Sequence, residues 1–406
     1  MAATSSLSFR DDSQRIVVTG MGAVSSLGHD LPSTWSKLLE GANGIRAIER
    51  FDATGFPVTF AAEVNLPHAG PDLKGTLAMR AASEALRQSG LEGGPRVGVF
   101  MGSEADRPPL PLVAMRMHQE QKPTPEEMAA SAPWAPTLAI ARRLGATGFQ
   151  STVSTACTSS AQAIGEAMLR IRRGELDAAL AGGVDVLVDP LMVTGFAILG
   201  ALSMRNDAPQ HACRPFDVDR DGFVLADGSA MLVIESLAHA RARGAQVLGE
   251  LLGYGCSLNA WRITDAPPDG RGAALAMRAA LDDARLPASA IDYINAHGTS
   301  TPQNDVSEAR ALQTVLGDSV THAWVSSTKS MTGHTVAACG ALELLFCLLA
   351  VRDDAAPPTR NLDNPDPDCA LRHVAHHAVR SPVRVALSNA FGFGGNNASI
   401  LVGGAP

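Results

Sequence analysis

Apolar residues fall along this chain in short runs of two kinds: β-prone stretches that end in glycine, and longer stretches with apolar positions at helical spacing. RIVVTGMGAVSSLG, from Arg15, reads as a β-branched strand followed by a glycine turn, and residues 35–39 read as a helix. Residues 77–89 carry the helical period, RVGVFMGS (96–103) is a buried strand, and 136–144 is a helix leading into a strand that ends near Thr155. Residues 108–125, rich in Pro, Met and Gln, have no clean period, so an irregular excursion is expected there. After Cys157 an Ala-rich helical segment is closed by Arg170, Arg172 and Arg173, with Gly174 as the stop. ELDAALAGGVDVLV (175–188) and SAMLVIES (229–236) read as buried strands, 238–243 as a helix, and GAQVLGELLGYG (244–255) as a further strand.

The same grammar then repeats: helix 272–284, strand IDYINAHG (291–298), helix 305–316, a strand, a turn at Lys329, a long apolar helix 336–351 and two closing strands. The join places two halves at residues 1–249 and 250–406. Strands alternating with helices argue for α/β layers.

The length of 406 residues suits two or three domains or one large two-lobed enzyme, and 46% hydrophobic residues with 18% charged can build a sizeable core. No run of ~18 apolar residues escapes interruption by charge, Gly or Pro, so no membrane span is expected. The start, MAATSSLSFRDDSQR, lacks an apolar signal core, and the six cysteines show no paired spacing; both point to a reducing cytoplasm. No CxxC or Cys/His ladder suggests a metal, and HVAHH (373–377) reads better as a solvated turn than as a metal site. The net charge of −8 is interspersed, without the basic stripe that nucleic acid would want. Gly20 and Gly22 hint at a dinucleotide loop, but the third glycine and the later acidic residue are missing.

The candidate chemistry centres on residues 153–174. A thiol at a strand-to-helix junction faces unpaired backbone N–H groups and the positive end of the helix dipole, which favours thiolate and lowers the pKa from about 8.5 toward neutrality. Cys157 is therefore a candidate nucleophile, with a buried small hydrophobe as the alternative on this stretch alone. Downstream, NAHGTSTPQND (295–305) and SSTKSMTGHTVAACGALE (326–343) each set a histidine beside small and hydroxylated residues. Cys, His, Lys and His in that order, each in a Gly/Ser/Thr-rich turn, favours a catalytic reading over scattered structural histidines.

TACTSS around Cys157, RPFDVDRDGFVLADG (214–228), NAHGTSTPQND, SSTKSMTGH and SNAFGFGGNNASI (388–400) resemble, in order and across nearly the whole chain, the β-ketoacyl-acyl-carrier-protein synthases, most of all the synthase II elongation type. The resemblance implies the thiolase fold, with two related βαβαβαββ halves in a five-layer αβαβα sandwich. It implies a decarboxylative Claisen condensation, in which malonyl-acyl-carrier protein meets an acyl group held as a thioester on Cys157 and gives 3-oxoacyl-acyl-carrier protein. No cofactor is implied beyond the phosphopantetheine that the carrier protein brings.

That chemistry assigns roles. The acyl group needs a good leaving group, which the Cys157 thiolate provides; Cys213, Cys256, Cys339, Cys347 and Cys369 are left to packing or surface. Loss of CO2 creates an enolate whose charge must be met by positioned donors, and His297 and His334 match the paired histidines of the elongating synthases. By resemblance Lys329 is the active-site lysine and Glu343 its buried partner, with Asp305 and Glu308 as structural hydrogen bonders. Thr299 and Thr301 match threonines that contact the pantetheine arm. The glycines of GFGG (392–395) allow close backbone approach. The amides of Cys157 and Phe393, next to Gly394, match the acyl oxyanion hole, and the Phe393 ring resembles the gate between pantetheine tunnel and acyl pocket.

Two stretches depart from the pattern. LPHAGPDLKGTLAMRAASEAL (66–86) looks shortened where the family carries a basic carrier-docking segment, leaving Lys74 and Arg80, with Arg142, Arg143 and Arg205 as other candidates. MGSEADRPPLPLV (101–113) stands where the family commonly has Gly-Ile-Gly after the Gly-Ser, at the acyl-pocket floor and dimer interface. Ala105 would replace a larger floor residue, while Glu104, Asp106 and Arg107 add charge to a face that is small and apolar in a self-complementary pair. The expectation is a specialised type II fatty-acid or polyketide (polyene-like) pathway, as a homodimer or paired with a second ketosynthase-like subunit. Housekeeping elongation and a non-condensing chain-length-factor role are the alternatives, although the latter usually loses the nucleophile. A thiolase would want a second catalytic cysteine near the C-terminus, and a Cys/His hydrolase a carboxylate beside a histidine; neither is seen.

Overall fold

A computed structural model describes residues 10–66, 72–104, 116, 118–122, 124 and 132–406. Its centre is a continuous sheet of ten strands, with the segments of the first half being β1 (Ile16–Val24), β2 (Val97–Gly102), β3 (Gln150–Val153), β4 (Ala178–Asp185) and β5 (Gly228–Ser236). The second half supplies β6 (Gly249–Leu258), β7 (Tyr293–Asn295), β8 (Trp324–Ser326), β9 (Val385–Phe391) and β10 (Asn396–Gly403). The spatial order is 8-7-9-10-6-1-5-4-2-3. Adding five to each strand of the order 3-2-4-5-1 gives 8-7-9-10-6, and the pairing sense matches strand for strand: parallel, parallel, antiparallel, antiparallel. The chain is thus two copies of one βαβαβαββ unit. They meet where β1 and β6 pair antiparallel, Ile16 opposite Leu251 and Val18 opposite Gly249.

Helices complete the layers. Besides α1 (Leu31–Leu39), α2 (Leu73–Ser89) and α3 (Ala135–Leu144) cover the outer face of the first sheet. α4 (Ser159–Arg172) follows β3, and α5 (Pro190–Ile198) and α6 (Leu237–Ala242) flank β5 in sequence. In the second half α7 (Arg271–Ala284) and α8 (Pro302–Leu316) cover the other outer face, while a single turn, α9 (Lys329–Thr332), precedes α10 (Cys339–Asp353). α4 and α10 pack against each other and against strands of both halves, forming the middle layer of an αβαβα sandwich. This explains why the sequence of α10 is apolar without a period: every residue from Cys339 to Ala350 is buried, since sheets lie on both sides.

The element boundaries shift for local reasons. α1 begins at Leu31 because the Asp30 carboxylate caps the Ser33 N–H and Pro32 suits the first turn, and α2 begins at Leu73 with Asp72 capping Gly75. The expected helix at 336 opens instead as a 3₁₀ turn, Val336–Ala338, with Val336 at φ 38°, before α10 proper. α5 was not foreseen: of its nine residues only Val193 is buried, so no amphipathic period marks it, and its signals are the Asp189 cap and Pro190. Of residues 108–125, only 116, 118–122 and 124 lie among the described residues.

Candidate active site

The nucleophile candidate sits in a turn rather than on an element. β3 ends at Val153 and α4 starts at Ser159, and between them Ala156 takes φ 52°, a left-handed conformation that non-glycine residues rarely adopt. Hydroxyls brace the turn: Thr158 Oγ1 donates to the Thr155 carbonyl at 2.8 Å, Ser159 Oγ donates to the Ala156 carbonyl at 2.6 Å, and the Thr155 N–H donates back to Ser159 Oγ at 2.9 Å. Cys157 is buried, and its Sγ lies 3.1 Å from His334 Nε2.

The thiol departs from the expectation of a lowered pKa. Burial pushes it up to about 12, with Glu104 adding to the rise, against the pull of Lys329 and of the Phe393 and Cys157 amides. Two residues short of α4 and shut away from water, the sulfur loses more by desolvation than the helix end returns. The resting group is a neutral thiol.

The two histidines arrive from neighbouring turns of the second half, His297 just past β7 and His334 just past α9. Their ring centroids are 5.4 Å apart and nearly perpendicular, and one ligand atom of each lies within 4.8 Å of the other and of Cys157 Sγ. Both are buried and both are held well below the usual histidine pKa, first by desolvation and then by the nearby Lys329 charge. Neither Nδ1 has a hydrogen-bond partner among the described residues. A buried N–H without an acceptor is costlier than an unused lone pair, so the proton belongs on each Nε2, the nitrogen that in His334 faces the sulfur. Phe223 packs edge-on to His334 at 5.1 Å and Phe391 to His297 at 5.8 Å.

Lys329 is fully buried and donates to Glu343 Oε1 at 2.5 Å. Burial works against its charge, but Glu343, Cys339 and Glu308 more than offset that, and its pKa is raised. Burial likewise raises Glu343 to about 7. Glu308 accepts from the His297 and Gly298 N–H groups at 2.9 and 2.7 Å and from the Asn389 amide at 3.1 Å, and desolvation lifts it to about 7. Asp305 accepts from the Phe216 N–H at 2.9 Å and the Ser300 N–H at 3.2 Å. Both carboxylates hold backbone of the His297 segment rather than an imidazole.

Cys157, His297 and His334 border a cavity of about 560 Å³ that also takes in Thr299, Thr301, Phe196, Phe223 and Phe393, while Lys329, Glu343, Glu308 and Asp305 lie behind its lining. Thr299 and Thr301 hydroxyls are 2.9 Å apart. Gly392 backs onto the nucleophile turn, where a Cβ would come within 3.1 Å of the Cys157 nitrogen. Gly394 and Gly395 have φ 79° and 81°, so the GFGG loop takes a path closed to most side chains. The Phe393 ring stacks on Phe196 at 6.5 Å.

Other expected residues fall elsewhere. Glu104, assigned to a subunit face, turns inward onto the nucleophile turn and lines the cavity. Lys74 also turns inward, its Nζ donating to the Glu104 carbonyl at 2.9 Å, so it is not a free docking cation. Arg80 donates to the His29 carbonyl, Arg205 is 3.8 Å from Asp221, and Arg142 and Arg143 are exposed at the end of α3. Ala105, Asp106 and Arg107 lie outside the described residues. In the 373–377 cluster, His373 Nε2 pairs with the Cys369 carbonyl and its ring packs on Phe216, while His376 and His377 are exposed. Sequence reasoning missed Phe196, which carries no pattern of its own, and Phe223 and Asn389, which lie within the motifs at 214–228 and 388–400 but were not singled out there.

A doubled thiolase-type sandwich with a Cys–His–His site between its halves defines a condensing acyltransferase. The chain belongs to the beta-ketoacyl synthase family: its N-terminal domain model matches residues 13–240 and its C-terminal domain model residues 248–363. It is 40% identical to the 3-oxoacyl-[acyl-carrier-protein] synthase 2 of Coxiella burnetii, over 96% of this chain and 99% of that one. The enzyme of the same name from Synechocystis is 39% identical, over 96% and 98%. Among solved structures, a type II polyketide ketosynthase in complex with its acyl-carrier protein superposes with a TM-score of 0.90 at 33% identity, covering 97% of this chain and 99% of that one. The ishigamide ketosynthase/chain length factor superposes at 0.88 with 34% identity, covering 97% and 99%.

Proposed function

We propose that this chain condenses malonyl-acyl-carrier protein with an acyl group carried on Cys157, giving 3-oxoacyl-acyl-carrier protein. The observation that carries the reading is the convergence of Cys157 Sγ with His297 and His334 on one point of a buried cavity. In the first half-reaction the Cys157 sulfur attacks the acyl thioester, the carrier thiol leaves with the proton, and the amides of Cys157 and Phe393 receive the oxyanion. In the second, the malonyl C–CO2 bond breaks, CO2 leaves, and the electron pair becomes an enolate held by the Nε2–H donors of His297 and His334. The enolate carbon attacks the acyl carbonyl, the C–S bond to Cys157 breaks, and the thiolate takes up a proton. Lys329, anchored by Glu343, supplies positive potential to the site, while Asp305 and Glu308 fix the His297 segment.

Thr299 and Thr301 suit the amides of a pantetheine arm, and Phe393 with Gly394 forms the gate. No protein-bound cofactor is required, since the phosphopantetheine travels with the carrier. The two halves, 1–249 and 250–406, act as one unit, because α4 and α10 each touch strands of both. A cytoplasmic setting keeps the thiol reduced. The partners are an acyl-carrier protein and a second subunit, either another copy or a ketosynthase-like chain as in a chain-length-factor pair. The specialised polyketide or polyene role is supported by the ketosynthase likenesses, and housekeeping elongation by the curated relatives.

The test is intact mass of the purified chain mixed with malonyl- and short-acyl-loaded carrier protein. Acyl mass on Cys157 together with 3-oxoacyl carrier is expected, and the acyl preference separates the two roles. Absence of the acyl-enzyme sinks the reading, whereas acylation without condensed product until a second subunit is added assigns an obligate pair.

A further inference from the structure

Glu104 follows the end of β2 and has no part in the reaction described above. Its Oε1 accepts from the Ala156 N–H at 2.8 Å and, at 3.0 Å, shares the Ser159 hydroxyl proton with the Ala156 carbonyl, and its Oε2 accepts from Ser154 Oγ at 3.2 Å. Ala156 is the residue strained to φ 52° immediately before the nucleophile. Glu104 is itself anchored, because its carbonyl accepts from Lys74 Nζ on α2, which also lies 3.7 Å from Asp185. Asp185 in turn accepts from the Ala337 N–H, three residues past His334. A single chain of contacts therefore links α2, the nucleophile turn and the segment carrying His334.

We propose that Glu104 is a positioning residue: its carboxylate, seated on the Ala156 amide and the Ser159 hydroxyl, holds the left-handed turn that presents Cys157 to His334. This deepens the reading of Cys157 as nucleophile. A left-handed non-glycine residue persists only where its surroundings over-determine it. Here the over-determining group is a charged acceptor on the very amide that the strained turn exposes. The same carboxylate sets a fixed negative charge near the sulfur. The other charged or titratable groups facing that thiol are Lys329, His297 and His334, with Cys339 Sγ bonded to the Cys157 carbonyl. Glu104 thus trades thiolate stability for placement, and Lys329 opposes it electrostatically.

The test follows iodoacetamide alkylation of Cys157 against pH, by intact mass of the full chain, alongside acylation by acyl-carrier protein. Glu104→Gln keeps an acceptor oxygen for the Ala156 amide and removes the charge. Its alkylation profile is expected to move to lower pH, with acylation within about threefold of wild type. Glu104→Ala removes acceptor and charge together, and acylation is expected to slow on the order of tenfold or more, the scale of a lost charge-assisted hydrogen bond, with unchanged circular dichroism. An unshifted profile in the Gln chain overturns the proposal, as does a folded Ala chain that acylates at the wild-type rate. If no acyl carrier loads the wild-type chain, the condensation reading fails while the alkylation profiles still decide on Glu104.

Discussion

At the scale of single residues, the site is governed by what burial does to charge. Lys329 and Glu343 are both inaccessible to water and bonded to each other at 2.5 Å, so removing one partner strands the other. Lys329→Met should cost roughly 3–5 kcal/mol in urea unfolding, and Lys329→Met with Glu343→Leu should recover most of it. A double variant as unstable as the single would show that the pair is not a coupled unit. The histidines act in the opposite direction to the carboxyls. His297 and His334 are held neutral well below their usual pKa, so on acidification through about 6.5 the unfolded chain takes up protons that the folded chain refuses, and stability is lost. Glu308 and Glu343, each raised to about 7, bind protons more readily when folded and favour the folded form as pH falls from about 7 toward about 4.5. The histidine share is therefore read as a difference: between about pH 7.5 and about pH 5, a His297→Gln/His334→Gln chain should lose less stability than wild type. Equal losses would mean that the rings protonate freely in the folded state.

At the scale of elements, the middle layer joins the halves, and its fit is tight where α4 meets β6. A Cβ on Gly165 would come 2.3 Å from the half-buried Tyr254 ring. Gly165→Ala should gain up to about 1 kcal/mol in helix propensity and lose more to the clash, for a net destabilisation of about 1–2 kcal/mol in thermal melting. A stabilised variant would show that the sheet can move away from α4. The helices most legible in the sequence were those with one wet face, such as α2 and α7. α5 was invisible because its apolar residues run all round the helix, Val193 buried but Leu191 and Ile198 exposed, and α10 lost its first turn because Val336 leaves helical geometry where the chain bends out of the His334 turn.

At the scale of the whole molecule, a net charge of −8 repels an acidic protein at long range, so the proposed carrier docking calls for a local cationic patch. With Lys74 committed inward, Arg142 and Arg143 at the end of α3 are the exposed pair. Reversing both to Glu should raise KM for the carrier by roughly tenfold with kcat kept, and wild-type KM should rise with salt. An unchanged KM in the variant would move the docking face elsewhere.

The alternation of strands and helices and the order of the motif-bearing turns were legible in the chain alone, because local period and glycine placement are properties of neighbouring residues. The chain also marked Cys157, His297, Lys329 and His334 as a set. The sense of the thiol's pKa emerged with the fold, since desolvation depends on what lies across space from the sulfur and not on the helix that follows it. The inward turn of Glu104 and Lys74 was decided there too: a charged residue in a loop reads as solvated until the fold brings an unpaired amide to meet it. The duplication stands between the two, for repeated grammar is visible in the chain, but the matching strand orders exist only once the strands have paired.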